Sequence, residues 1–140
     1  MRQILLFAAL AASLAPLSGC TLSKTKADTA EDMTGKAAYH KISAEEAYEM
    51  MASQEVVVVD VRTQEEYDGG HIENAVLVPN ESIVSEMPEA PPDKEATLLV
   101  YCRSGRRSKD AAEKLLKLGY QSVYDFGGVI DWPYELVKEG

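Results

Sequence analysis

The stretch that decides the fold runs from Thr97 to Ser108 and has the sequence TLLVYCRSGRRS. A run of apolar, aromatic and β-branched residues leads into Cys102, and a segment with helical periodicity follows from about Arg106 to Leu118. This order predicts a buried strand, a short loop that begins with cysteine, and a helix. In such a loop the backbone N–H groups and the start of the helix both favour negative charge. We therefore expect a lowered pKa for Cys102, with the thiolate as its resting form.

Cys102 also has a structural alternative, because a lone cysteine is commonly a small buried hydrophobic residue. The residues that follow argue against this alternative, since a core position is not followed by clustered cations. The chain has a formal net charge of -9. Against that acidic background, a local cluster of cations favours a small anion as ligand; its members are Arg103, Arg106, Arg107 and Lys109. Gly105 allows the loop backbone to approach an anion or to adopt a positive φ.

The beginning of the chain predicts export. Arg2 supplies a short positive end, and residues 4–17 are almost wholly apolar and rich in alanine. This run is too short to span a bilayer comfortably and is typical of a secretory signal, with an uncleaved anchor helix as the alternative. The sequence Leu-Ser-Gly-Cys at 17–20 resembles the lipobox of bacterial lipoproteins. That resemblance implies a cleaved signal peptide over residues 1–19 and a lipid on Cys20.

Lipidation of Cys20 predicts a lipid membrane as partner and the cell envelope as location. Thr21, rather than aspartate, follows the cysteine, which by the lipoprotein pattern implies the periplasmic face of the outer membrane if the source is diderm. The chain has two cysteines, so Cys102 would be left as an unpaired thiol in an oxidising compartment. Such a thiol is either reactive or an intermolecular partner.

The remaining chain divides into a tether and one domain. Residues 20–38 are polar and lack apolar periodicity, which predicts a flexible linker, and residues 39–140 suffice for one compact domain. The acidic balance disfavours nucleic acid as a partner, because phosphate binding needs a basic face. The chain contains no His, Cys and Asp cluster with metal-ligand spacing, so we expect neither a metal nor another cofactor.

Strand and helix patterns alternate along the domain. Strands are predicted at 56–59, 75–78, 98–101 and 121–124, and helices at 44–52, 63–68, 106–118 and 130–138, with a short helix reaching Met87 and a turn at 127–128. This alternation predicts an α/β domain with a small parallel sheet of about five strands and helices on both faces. In such sheets the site lies beyond the carboxyl ends of the strands, where both Cys102 and Asp60 fall.

Three segments then resemble rhodanese-like domains, in the family's order. The first comprises Asp60-Val61-Arg62, Glu66-Tyr67, Gly70-His71-Ile72, Ala75 and Pro79. The second is the loop from Cys102 to Ser108, and the third is Gly127-Gly128 followed by Trp132. The resemblance covers residues 39–140. It implies a rhodanese-like sulfurtransferase that carries sulfane sulfur on Cys102.

The resemblance also implies substrates and roles. A small anionic sulfur donor such as thiosulfate would meet the Cys102 thiolate, with Arg103 and Arg107 donating hydrogen bonds to its sulfonate oxygens. Ser104, Gly105 and Arg106 complete the predicted donor site. The resulting persulfide would pass its outer sulfur to a thiol, a protein acceptor or, in an assay, cyanide.

Several residues near the loop have alternative interpretations. Asp60 would orient a loop arginine by the family pattern, and Arg62 accompanies it, whereas helix capping or a surface ion pair is the alternative for a carboxylate at a strand end. Ser104 and Ser108 would donate hydroxyl hydrogen bonds or serve as ordinary loop and cap polarity. His71 is expected to be structural, because a thiolate of lowered pKa needs no general base.

Other protein classes also use such a cysteine. A cysteine phosphatase or arsenate reductase would need its arginine at position 108, and that residue is serine; the shorter loop suits a sulfur atom better than a tetrahedral phosphate. A non-catalytic binding module would be marked by loss of Cys102, which is present. A membrane-tethered persulfide or thiol redox sensor needs only an accessible thiolate, and the arginine cluster favours an anionic donor over it.

Overall fold

The computed structural model describes residues 37–84 and 93–138. The predicted signal peptide 1–19, Cys20 and most of the predicted tether lie outside these residues. Within them, the chain forms one parallel sheet in the order β1-β5-β4-β2-β3. The strands are β1 Ala38–Lys41, β2 Val57–Asp60, β3 Val76–Leu77, β4 Thr97–Cys102 and β5 Ser122–Gly128. The helices are α1 Ala44–Ser53, α2 Gln64–Asp68 and α3 Arg106–Lys117, with short 3₁₀ turns at Asn80–Ser82 and Val129–Asp131.

The central strand β4 explains the layered arrangement. Leu98 to Tyr101 are fully buried, because helices cover both faces of the sheet. On one face, Leu98 and Val100 pack with Leu115 of α3; on the other, Leu99 and Tyr101 pack with residues of α1. The predicted parallel α/β fold with helices on both faces is therefore confirmed.

The first two helices begin where the sequence predicts. Ser43 and Glu46 form a reciprocal capping box at the start of α1, with bonds of 3.1 and 2.7 Å. Thr63 and Glu66 repeat this arrangement at the start of α2. Each box satisfies backbone N–H groups that the first turn of a helix leaves without partners.

The prediction of a last helix over residues 130–138 is wrong. The chain makes one 3₁₀ turn at Val129–Asp131, and Pro133 then interrupts helical hydrogen bonding because it lacks an N–H donor. Val137 instead pairs with His71 in an antiparallel bridge, with N–H to oxygen distances of 2.9 and 2.8 Å. This pairing holds the end of the chain against the segment that follows α2.

Three other boundaries differ from the prediction. The predicted turn at 127–128 is wrong, because both glycines belong to the end of β5. The sheet begins at Ala38, the last residue assigned to the tether, since β1 pairs in parallel with β5. The short helix predicted to reach Met87 is represented by the 3₁₀ turn Asn80–Ser82, and its end lies outside the described residues. Among the residues described, no helix is long and apolar enough to cross a membrane.

Candidate active site

The cysteine loop connects β4 to α3 at the carboxyl edge of the sheet. Cys102 is the last residue of β4 and is 1% exposed, whereas Arg103 and Ser104 are exposed. Gly105 has a φ of 97° and turns the chain into α3. This left-handed conformation is the freedom that glycine provides. The Gly105 N–H donates to the Cys102 Sγ at 3.0 Å, so the loop backbone bends around the sulfur.

Hydrogen bonds to the sulfur stabilise its charged form. Burial raises the pKa of Cys102, but hydrogen bonds from Ser108, Gly105 and Ser104 lower it by more, leaving the pKa below that of an ordinary thiol. Backbone N–H groups of three loop and helix residues contribute to this effect. The arrangement thus favours a thiolate nucleophile.

The two glycines at the end of β5 form the surface against which the loop packs. A Cβ on Gly128 would collide with the carbonyl oxygen of Arg103 and the Cα of Ser104. The same carbonyl accepts a hydrogen bond from the Ile130 N–H at 3.2 Å. Gly128 is therefore needed for close approach of the cysteine loop.

A buried carboxylate behind the loop, Asp125, was missed by the sequence analysis. It is 1% exposed, and its Oδ1 accepts from the Ser108 hydroxyl at 2.7 Å and from the Gly127 N–H at 2.9 Å. Its Oδ2 accepts from the Tyr39 hydroxyl and pairs with Lys41 at 3.2 Å. Burial and Asp125 together raise the pKa of Tyr39 to about 12. Asp125 thus joins β1, β5 and α3 beneath the cysteine. The sequence feature that could have identified it is a lone acidic residue within an apolar strand.

Arg107 does not stand free in the loop. Its two terminal nitrogens donate to the two carboxylate oxygens of Glu66, each at 2.8 Å, and both side chains are about one quarter exposed. The Arg107 hydrogen bond is the largest influence on Glu66 and lowers its pKa to about 2. The sequence places Glu66 in the family signature, but its partner in the structure lies 41 residues away and was not predicted.

Asp60 binds Arg62 rather than an arginine of the loop. The Arg62 guanidinium meets both Asp60 oxygens at 2.6 to 3.0 Å, and the side chains are 5% and 0% exposed. Asp60 also accepts from the Tyr101 hydroxyl at 2.6 Å, while Arg62 donates to the Gly70 carbonyl at 2.8 Å. Burial lowers the pKa of Arg62, but Asp60 raises it by more. This network ties β2, β4 and the end of α2 together.

Two small cavities border the loop. One, of about 620 Å³, is lined by Ser104, Arg106 and Arg107 together with Asn80, Glu81 and Asp110. The other, of about 260 Å³, includes Arg62, Glu66 and Arg103. Arg103 and Arg106 make no ion pair with any described residue. These cations can therefore meet a small anion at the loop.

A third cavity does not involve the cysteine loop. It measures about 870 Å³ and lies between α1 and the segment around Trp132. His71 takes no part in the hydrogen bonds that lower the pKa of the thiol: its ring stacks on Tyr67 at 3.6 Å, and its Nδ1 lies 2.9 Å from the Tyr67 carbonyl. Within the described residues, no group of three or more His, Cys, Asp or Glu side chains could hold a metal ion.

Fold and site together define a small α/β domain with a cysteine of lowered pKa in a loop bordered by arginines. The model of the rhodanese-like domain matches residues 43–133. The chain therefore belongs to the rhodanese-like domain family. Membership implies a sulfurtransferase-like enzyme, with a sulfur donor and a thiol acceptor in general terms.

Several known proteins resemble the chain. The tRNA uridine(34) hydroxylase of Yersinia pestis is 31% identical over 106 residues, which cover 72% of this chain and 30% of that protein. A solved structure of a rhodanese with anions from E. coli is 37% identical, with a TM-score of 0.54, covering 59% of this chain and 98% of that one. The human single-domain sulfurtransferase is 26% identical, with a TM-score of 0.60, and the match covers 66% of this chain and 93% of that one. The chain thus spans about 30% of the hydroxylase.

Proposed function

We propose that the protein is a thiosulfate sulfurtransferase that forms a persulfide on Cys102. The observation that carries this proposal is the hydrogen bonding around the sulfur, which lowers the pKa of Cys102 beside two arginines, Arg103 and Arg106, that make no ion pair with a described residue. A thiolate alone would repel an anionic donor. The nearby guanidinium groups of Arg103 and Arg106 offset that repulsion and donate hydrogen bonds to the sulfonate oxygens.

The reaction proceeds by two displacements. The Cys102 thiolate attacks the outer sulfur of thiosulfate, and sulfite leaves with the electron pair of the broken S–S bond. The product is a Cys102 persulfide anion, stabilised by the N–H groups that stabilise the thiolate. A thiol or cyanide then attacks the outer sulfur, which regenerates the Cys102 thiolate.

Intact-mass measurement after thiosulfate treatment tests this reaction directly. The Cys20→Ala variant isolates the site, because Cys102 is then the sole cysteine in the sequence. We expect a gain of one sulfur atom that disappears when cyanide is added, with thiocyanate as product. Cys102→Ser should gain no sulfur. Thiocyanate formation at the normal rate by Cys102→Ser would exclude the mechanism.

The family allows other donors and acceptors, and the hydroxylase relatives raise RNA as a substrate. Those relatives are much longer than this chain, which matches about 30% of their length. The net charge of -9 disfavours a phosphate backbone as ligand. We therefore favour a small sulfur anion. Sulfur transfer to an RNA-bound acceptor, without transfer to cyanide, would reverse this preference.

We also propose that the domain is lipid-anchored in the cell envelope through Cys20. The supporting evidence is the apolar segment that ends in Leu-Ser-Gly-Cys at 17–20. Cys20→Ala should remain unprocessed or leave the membrane fraction, whereas Cys102→Ser, the matched cysteine control, should remain membrane-bound. Recovery of the wild type solely in the soluble fraction, without lipid mass, would exclude this location.

A thiol redox sensor is the competing function, and the same measurements separate it from transfer. A sensor would be oxidised without passing sulfur to an acceptor. The exposed guanidinium groups of Arg103 and Arg106, which make no ion pair with a described residue, favour an anionic donor over oxidation by a neutral reagent. Persulfide formation without turnover in the presence of thiols and cyanide would favour the sensor.

A further inference from the structure

The ion pair between Glu66 and Arg107 has an unusual position in this site. Two parallel hydrogen bonds of 2.8 Å join the side chains, so the guanidinium is held in one orientation. Glu66 also accepts from the Thr63 N–H at 3.1 Å and from the Thr63 hydroxyl at 3.2 Å. One carboxylate thus caps α2 and binds the first turn of α3.

The pair lies beside the candidate donor site. Glu66 lines the smaller cavity with Arg103, and Arg107 lines the larger one with Ser104. Arg107 also interacts electrostatically with Cys102. Cys102 itself lines neither cavity, but each cavity borders the cysteine loop and contains one member of this pair, so an anion bound in either cavity lies beside that member.

Glu66 changes the charge that a donor encounters. Arg103 and Arg106 have no ion-pair partner among the described residues, whereas Glu66 compensates Arg107. Arg62, the fourth arginine near the loop, is compensated by the buried Asp60. Among the described residues, the site thus presents two guanidinium groups without an ion-pair partner, and removal of the Glu66 charge would leave Arg107 as a third, although Glu81 still interacts with Arg107 electrostatically.

We propose that Glu66 is a specificity-determining residue that limits the preference of the site for dianionic sulfur donors over monoanionic ones. This inference rests on the proposed sulfur transfer through Cys102. Coulombic energy is proportional to charge, so a dianion interacts about twice as strongly as a monoanion with the same added guanidinium charge. The charge of Glu66, which compensates Arg107, therefore weakens the binding of a dianion more than that of a monoanion.

Two donors of matched shape isolate this effect. Thiosulfate is a dianion and releases sulfite, whereas the methanethiosulfonate anion replaces one sulfonate oxygen with a methyl group and releases methanesulfinate. In both reactions the Cys102 thiolate bonds to the outer sulfur and the leaving group takes the electron pair of the broken S–S bond. Both yield the same Cys102 persulfide, so the donor's charge is the principal difference.

The test compares kcat/KM for both donors in the wild type and in Glu66→Gln, at low ionic strength. Glutamine is accepted at this position of a capping box, so the substitution removes charge and leaves the start of α2 intact. We expect kcat/KM to rise about fivefold for thiosulfate and about twofold for methanethiosulfonate. Because both donors are assayed on one sample, the fraction of folded enzyme cancels from their ratio.

Glu65→Gln is the matched control. Glu65 lies on the same helix, is exposed, and makes no ion pair with a described residue. Glu65→Gln removes the same formal charge and should leave the ratio of kcat/KM for the two donors unchanged. Added salt should reduce the shift in Glu66→Gln, because screening weakens exposed charges.

The outcomes that would overturn the inference can be told apart. An equal change for both donors, or a selective loss with thiosulfate, would mean that Glu66 serves to hold Arg107 in place. If the wild type transferred sulfur from neither donor, the proposed function itself would fail. Transfer by the wild type with an unchanged ratio in Glu66→Gln would exclude only the role of Glu66.

Discussion

The two arginine–carboxylate pairs beside the loop have the same chemistry and different surroundings. Arg62 and Asp60 are 5% and 0% exposed, whereas Arg107 and Glu66 are 27% and 26% exposed. Both arginines contact both oxygens of their partner, at 2.6 to 3.0 Å in the first pair and 2.8 Å in the second. The pairs therefore differ in solvent access more than in geometry.

This difference separates structure from function. Removing one member of a buried pair leaves a charge without solvent or partner, so such a pair holds elements together and is costly to break. Asp60 additionally binds Tyr101, and burial and Asp60 raise the pKa of that tyrosine well above its usual value. A half-buried pair retains solvent on one side. Its members can therefore interact with an incoming anion.

The largest expected effect contrasts the stabilities of the two pairs. Asp60→Asn should lower the free energy of unfolding by about 3–5 kcal/mol, because the buried Arg62 guanidinium loses its counter-charge. Glu66→Gln should lower it by about 1 kcal/mol or less, since its partner is partly solvated. Urea denaturation of both variants measures the difference. Equal losses would break the distinction between a structural and a functional pair.

The second prediction concerns donor binding. Arg107→Gln should lower kcat/KM for thiosulfate about ten- to a hundredfold, because it removes a cation and leaves Glu66 as an uncompensated anion at the site. For Arg103→Gln the loss in kcat/KM should lie at the lower end of that range. Arg103 has no ion-pair partner among the described residues, so its removal leaves no carboxylate uncompensated. Steady-state kinetics with thiosulfate provides the measurement.

A neutral alkylating reagent supplies the control for both variants. Its reaction with Cys102 should fall much less than thiosulfate turnover, because the hydrogen bonds to the sulfur come from Ser108, Gly105 and Ser104. Added salt should also weaken the wild type's thiosulfate reaction more than that of either variant. Equal losses in both reactions would mean that the arginines tune the thiol and do not bind the donor.

A smaller effect is expected behind the sulfur. The N–H and the side chain of Ser108 both lower the pKa of Cys102, although the hydroxyl also donates to Asp125 at 2.7 Å, so Ser108→Ala should raise that pKa. The pH dependence of iodoacetamide alkylation measures this shift. Ser104→Ala is the matched control, because Ser104 contributes through its backbone and should leave the profile unchanged. Identical pH profiles for the wild type and both variants would mean that the Ser108 side chain does not stabilise the thiolate.

The smallest expected effect is the acid dependence of the half-buried pair. The pKa of Glu66 is lowered from 4.5 to about 2 in the folded protein, so its stabilisation is present above pH 4.5 and is lost as the pH falls through about 2. The stability difference between wild type and Glu66→Gln, about 1 kcal/mol or less, should be constant from neutral pH to about 5. Denaturation series at several pH values measure this stability difference. A difference that already decreases near neutral pH would contradict the prediction.

Local patterns predicted much of the fold. Ser43 with Glu46 and Thr63 with Glu66 marked the starts of two helices, because a capping box acts within one turn. The segment 130–138 was predicted as a helix and is not one. There the apolar spacing was helical, but Pro133 and the pairing of Val137 with His71 decided the conformation.

The candidate site was predicted unevenly for the same reason. The cysteine loop was visible because its residues are contiguous from Cys102 to Ser108. Glu66 and Asp125 approach that loop from α2 and β5, at separations of 41 and 17 residues from their partners in α3. A single sequence contains no direct record of such pairings. Packing of the sheet and helices brings them together.

The sequence by itself determined the parallel α/β domain, the cysteine at the end of its central strand, and the cations that follow. These follow from hydrophobic periodicity, capping and charge within a few residues of chain. Tertiary structure alone decided which arginines are compensated and how closely β5 approaches the loop. Those properties depend on burial and on the crossing of distant segments, so Arg62 and Arg107 acquire different roles although both are arginines near one thiol.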